Sequence, residues 1–186
     1  YHRLRYDLSK SKTSVSSTTA TSTTGEEGKA LRGSSVAYTL SKDSRDSRFD
    51  PTKGYFLELD ETVSGLGGDV KFSRTKFTAA YYKPLFFKSV VLGLAGEVGH
   101  ISGLGDKVTQ SKRFYLGGRA IRGFDGNGIG PRDAGSGDSV GGNTMYSGRA
   151  EVVSNIGLNK DTGVRWTVFS DFGSLWGTDY PTNVTE

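Results

Sequence analysis

The sequence predicts an all-β fold, an antiparallel transmembrane β-barrel segment of about seven strands, on three observations. Seven stretches alternate apolar and polar residues with a period of two, the spacing of strands whose two faces meet different surroundings. The stretches run roughly eight to thirteen residues, against about five or six in ordinary globular proteins. Short turns and long polar loops join them alternately, with no helical period between, as in outer-membrane barrels. A soluble β-sandwich also alternates. Its strands are shorter, and its buried face does not carry Arg149, Glu151, Arg165 and Asp171 together.

The elements follow in order. In Tyr1–Ser9, His2, Leu4, Tyr6 and Leu8 oppose Arg3, Arg5 and Asp7. Residues 10–29 form a Ser/Thr tract without apolar anchors, expected as a long loop. Val36, Tyr38 and Leu40 mark the second strand, and DSRFDPTKG (residues 46–54) a tight turn. Tyr55, Leu57, Leu59 and Val63 alternate with Phe56, Glu58, Asp60 and Thr62, with Glu61 breaking the pattern. Phe77, Ala79 and Tyr81 alternate with Lys76 and Thr78 up to Pro84. Val90, Leu92, Leu94 and Val98 face away from Gly93, Ala95, Glu97 and Gly99, so one side is bulky and the other small or charged. After a second long loop (residues 102–143), Tyr146, Ala150 and Val152 oppose Ser147, Arg149 and Glu151. Lastly Val164, Trp166, Val168 and Phe172 oppose Arg165, Thr167, Asp171 and Gly173. Tyr1, Tyr81, Tyr82, Phe86, Phe87, Trp166 and Trp176 are candidates for interfacial girdles or for plain strand aromatics.

Composition narrows the function classes. The 186 residues suffice for one domain and contain no cysteine, and the two histidines, His2 and His100, lie far apart, so no metal site is expected. Net charge is +4, but the basic residues are scattered among acids, so no nucleic-acid partner is expected. No run of about twenty apolar residues provides a transmembrane helix. The chain opens in mid-pattern, and is expected to be a segment of something longer.

One stretch fits neither strand nor linker. Lys112–Asp133, KRFYLGGRAIRGFDGNGIGPRD, holds six glycines, four arginines and three aromatics in 22 residues. Its glycines fold the backbone back on itself, while Phe114, Tyr115, Leu116, Ile121, Phe124 and Ile129 are more apolar than a solvated linker needs. Such a loop is expected to pack into a cavity.

Phe114-Tyr115-Leu116-Gly117-Gly118, Ile121-Arg122-Gly123-Phe124 and Gly128-Ile129-Gly130-Pro131 together resemble the sixth extracellular loop of the BamA family of outer-membrane insertases. Val140-Gly141-Gly142-Asn143-Thr144 and Asp171-Phe172-Gly173-Ser174-Leu175-Trp176 are similar to that family in the same order. SRDSRFDPTKGY resembles a periplasmic turn entering a strand. The resemblance covers nearly all of the chain from about Val36. It implies part of a sixteen-stranded barrel, about the seventh to the thirteenth strand. Residues 10–29 and 102–143 would be extracellular loops, and the POTRA domains and the terminal strands would be absent.

By the same resemblance, the loop tucks into the lumen and Arg122 braces it on the wall through Glu151 and Asp171. Ile121 takes the place of the family's usual valine, a change that keeps the branched side chain. Both acids fall on the polar side of consecutive strands, and a guanidinium fork is suited to bridging two carboxylates. Gly123 is expected to let the backbone approach the wall and Phe124 to complete the contact. Gly117, Gly118, Ile121, Gly128, Gly130 and Pro131 are expected to pack the loop. Arg149, Arg165 and Glu97 read as a solvated lumen face.

The implied location is the bacterial outer membrane. The implied function is that of the central subunit of the β-barrel assembly machine, inserting outer-membrane proteins without nucleotide hydrolysis. Implied partners are unfolded outer-membrane protein clients, outer-membrane lipid and periplasmic accessory lipoproteins. TamA-like assembly factors and two-partner secretion transporters share the loop motif, and a passive pore is the remaining alternative. No enzyme and no cofactor are expected: Ser9-Lys10-Ser11-Lys12 has Ser-x-x-Lys spacing without a Lys-Thr-Gly partner, and Gly25–Lys29 is too short for a phosphate loop.

Overall fold

The computed structural model describes residues 1–12, 30–85, 89–155, 165–179 and 184–185. Seven long strands form one antiparallel sheet, each paired with the next long strand in the chain: β1 (His2–Lys12), β2 (Ala30–Asp43), β3 (Gly54–Ser64), β4 (Phe72–Pro84), β5 (Val90–Gly103), β7 (Thr144–Asn155) and β8 (Arg165–Trp176). Two short strands, β6 (Arg132–Asp133) and β9 (Val184–Thr185), pair with each other. The long strands have 11 to 14 residues, enough when tilted to cross an apolar band about 25 Å tall. They outrun the alternating pattern at their ends. β1 continues to Lys12 against Ala30, and β5 continues to Gly103, so the loops are shorter than 10–29 and 102–143. Residues 13–29 lie outside the described residues.

The register keeps each face uniform across the sheet. Glu58, Thr78, Glu97, Ser147 and Gly173 are partners in one row, and Leu57, Ala79, Gly96, Gly148 and Phe172 in the adjacent row on the opposite face. The second face is outward and apolar, with Leu4 (74%), Val168 (65%) and Phe172 (57%) strongly exposed. In water such a surface would drive aggregation, whereas lipid accepts it. Glu61 stands on this face, and its carboxylate accepts a hydrogen bond from Thr75 at 2.9 Å. Of the candidate girdle aromatics, Tyr1, Tyr81, Trp166 and Trp176 are exposed. Tyr82 shares the inner row of Gly54 and Gly93 instead, and Phe86 and Phe87 lie outside the described residues.

The buried apolar core lies on the other, concave face. Phe72, Ile101, Met145 and Leu175, from β4, β5, β7 and β8, pack against Val108, Phe114, Leu116 and Ile121 of the loop between β5 and β7. Burying a side chain of this size stabilises by roughly 1.5–3 kcal/mol. The loop therefore supplies about half of the core.

Candidate functional site

The 104–143 loop enters the concave side as two antiparallel runs. Bridges join Phe114 to Gly142 and Leu116 to Ile129, and Gly118 N–H donates to the Phe124 carbonyl at 3.1 Å. The small inner-face residues of the wall serve as seats for large loop side chains. A Cβ on Gly99 would meet the Phe114 ring, and one on Gly173 would meet Ile121 at 2.8 Å. In the reverse sense, Leu175 of the wall fits against Gly130 and Gly142 of the loop. Gly99 of β5 and Gly173 of β8 are thus seats for the loop.

The loop tip ends on β8. The Asp171 carboxylate accepts hydrogen bonds from Arg122 N–H (3.0 Å), Nε (2.6 Å) and Nη2 (2.7 Å). Arg149 of β7 donates Nε to the same carboxylate at 3.1 Å and Nη2 to the Arg119 carbonyl at 2.7 Å. Asp171 is nearly inaccessible, with 3% side-chain exposure, so two guanidinium groups and a backbone amide offset its desolvation. The Arg122 guanidinium also lies over the Phe169 ring, 3.3 Å from its centroid, adding a cation–π contact.

A second arginine holds the loop base. The Arg113 guanidinium, with no side-chain exposure, donates to the Val108 carbonyl (3.0 Å), the Val140 carbonyl (3.4 Å) and the Thr178 hydroxyl (3.0 Å). Asp179 lies 3.8 Å away and accepts from Val108 N–H at 2.8 Å and Asn143 Nδ2 at 3.1 Å. A buried cation is tolerated only when saturated with hydrogen bonds. The segment after β8 is thereby tied to both ends of the loop.

Several expectations need correction. Arg122 does reach both acids, but unequally: it forms an ion pair with Glu151 at 3.9 Å, while Asp171 takes both short hydrogen bonds. Gly123 makes no close approach: a Cβ there meets nothing within 4 Å, and the glycine is required by its φ of +90°. Phe124 is 55% exposed and contributes its carbonyl rather than its ring. Ile121 and Pro131 are buried, Gly117 and Gly128 flank Asp125 at the loop's return, and Gly130 sits on Leu175. The lumen charges expected to face solvent keep part of their exposure and also pair: Arg149 with Asp171, Glu97 with Lys76 at 2.7 Å, and Arg165 with Asp50 at 2.6 Å. Arg113 and Phe169 were not singled out. Phe169 follows from period two in β8, whereas Arg113 sits in a stretch with no period.

The whole chain, residues 1–186, matches the Omp85 superfamily domain. It is 38% identical over 150 residues to outer membrane protein assembly factor BamA of Neorickettsia risticii (strain Illinois), covering 80% of this chain and 20% of that protein. It is 32% identical over 158 residues to the sorting and assembly machinery component 50 homolog of Homo sapiens, covering 83% of this chain and 31% of that one. Among solved structures, the crystal structure of BamA from Haemophilus ducreyi lacking POTRA domains 1-3 has a TM-score of 0.73 at 21% identity, over 81% of this chain and 31% of that chain. The chain therefore spans about a fifth to a third of the length of these relatives. A seven-stranded wall that is apolar outside and packs its own loop inside belongs to the Omp85 superfamily, as an outer-membrane β-barrel segment.

Proposed function

We propose that this chain forms part of the barrel of a bacterial assembly factor of the BamA type, which folds and inserts other β-barrels into the outer membrane. The observation that carries this reading is the inward loop, fastened to the wall at Arg122–Asp171 and packed as part of the core. A passive pore needs an open lumen, and this loop occupies the concave side. The higher identity to the BamA relative than to the human relative favours the bacterial assembly factor.

The chemistry asked of such a protein is physical. An unpaired strand edge in hydrocarbon leaves backbone groups unsatisfied, at several kcal/mol each. A barrel with an openable seam presents a template edge, so a client strand pairs before it meets lipid. No nucleotide hydrolysis enters this scheme. Unfolded outer-membrane clients, lipid and periplasmic accessory lipoproteins are its partners. The loop anchor holds wall and plug in one geometry while the seam works elsewhere in the barrel.

Depletion of the full-length protein, followed by quantification of all outer-membrane barrels, tests the reading. A broad fall in unrelated barrels is the expected result. Loss of one secreted cargo alone would replace it with a dedicated transporter, and altered small-solute permeability alone with a pore.

A further inference from the structure

Beneath the loop tip, toward the sheet end opposite the loop base, lies a cavity of about 490 Å³. Arg122 closes it above, Val153 and Phe169 form its walls, and Phe49, Pro51 and Thr52 of the β2–β3 turn line it below. The turn leads into β3, four places from β8 in the sheet, with β4, β5 and β7 between them. At about 4.7–4.9 Å per strand that is roughly 19 Å along the sheet. Nevertheless Asp50 meets Arg165, the first residue of β8, through two hydrogen bonds of 2.8 and 2.6 Å. The turn must lean across the concavity to do so.

The turn is built to hold that posture. The Asp46 carboxylate accepts from the amides of Ser47 (3.1 Å), Thr52 (2.9 Å) and Lys53 (3.1 Å) and from the Thr52 hydroxyl. Asp50 N–H donates to the Ser47 hydroxyl at 3.2 Å, and the Arg45 guanidinium lies over Phe56 on the inner face. Little conformational entropy remains to be lost when Asp50 engages Arg165. A bidentate arginine–carboxylate pair supplies direction as well as attraction.

We propose that the 44–53 turn is a strap across the mouth of this cavity, latched by Asp50 on Arg165, that limits access to the Arg122 anchor from below. The assignment is separate from the assembly role. β8 then carries the latch at Arg165 and the plug anchor at Asp171 on one face, so one strand registers the state of both.

The test uses the full-length protein in lipid vesicles, with Val153→Cys as its one accessible thiol and a membrane-impermeant maleimide as probe. Slow labelling is expected with the latch intact, and labelling faster by severalfold with Asp50→Arg. Slow labelling should return when Asp50→Arg is combined with Arg165→Asp, because the pair is restored with its charges exchanged. Equal rates in all three, or acceleration that the exchange leaves in place, would overturn the strap. Heat-modifiable migration on gels verifies that each barrel is folded. As a second measurement, the Asp50→Cys/Arg165→Cys protein should be joined by a short bismaleimide, and absence of that cross-link would equally refute the contact.

Discussion

Asp171 receives the backbone amide and both side-chain donors of Arg122 at 2.6–3.0 Å, so the loop tip is held by its main chain as well as its charge. The same carboxylate binds Arg149 of the neighbouring strand. The aspartate is the shared partner, and the two arginines are not equivalent to it. Arg122→Ala leaves Asp171 paired with Arg149 and is expected to cost about 1.5–3 kcal/mol, the worth of hydrogen bonds to a charged group. Asp171→Ala removes the acceptor that both guanidinium groups share and is expected to cost more than Arg122→Ala. Urea unfolding of the full-length protein in vesicles would measure both, and an Arg122 variant more damaging than the Asp171 variant would contradict the assignment.

The outward face supplies a separate test. Leu92 and Val168 sit on the apolar side of β5 and β8. Both share an outward row with Lys83 near the strand ends, so the mid-strand outward row is the sharper test: an arginine at Phe172, near the midplane, is expected to cost about 2–4 kcal/mol. Refolding equilibria in vesicles check this, and a tolerated Phe172→Arg with normal folding would show that the faces are reversed.

Loop glycines should separate by cause. Gly130 combines φ +111° with the Leu175 side chain 2.6 Å from a built Cβ, so Gly130→Ala faces both strain and collision. Gly123 has φ +90° and open space, so Gly123→Ala should cost only the backbone term, about 1–3 kcal/mol. Gly126 has open space and no positive φ, so Gly126→Ala is expected within about 0.5 kcal/mol of wild type. Limited proteolysis of the loop should rank them in that order, Gly130 first.

The turn carries a pH dependence of known sign. The Thr52 hydroxyl and the amides of Thr52 and Lys53 hold the Asp46 carboxyl down to about 2, from an ordinary 3.8. Because the folded value is the lower one, its contribution is complete above about pH 4 and is lost as pH falls toward 2. Protection of the Thr52 and Lys53 amides, measured against their intrinsic exchange rates at each pH, should fall over that interval. Asp46→Asn should remove the dependence, and protection that stays constant in the parent protein would refute it.

Period two made the seven strands and their faces legible, because each strand separates lipid from lumen along its whole length. Strand ends were less legible. Lys10–Lys12 continue the β1 ladder, but Lys-Ser-Lys has no apolar member, so the alternation that marks a strand is missing there. Arg122 and Asp171 stood out through motif and alternation together. Glu151 shared that signal, yet lies a row nearer the turn, beyond hydrogen-bond reach. Arg149 and Arg165 lay on the correct face, but their partners come from an aperiodic loop and a turn distant in sequence. Arg113 is hidden for the same reason, since burial of a loop base depends on tertiary closure rather than local spacing.

A core shared between the wall and the 104–143 loop also has a kinetic consequence. β5 and β7 can zip together only after that long segment has looped back, a closure entropy that shorter hairpins avoid. Once the sheet curls shut, Phe114 and Ile121 have no route to their glycine seats except through the mouth of the barrel. Docking the loop while the sheet is still open avoids that passage, so the plug is suited to act as a mandrel around which the wall is wound.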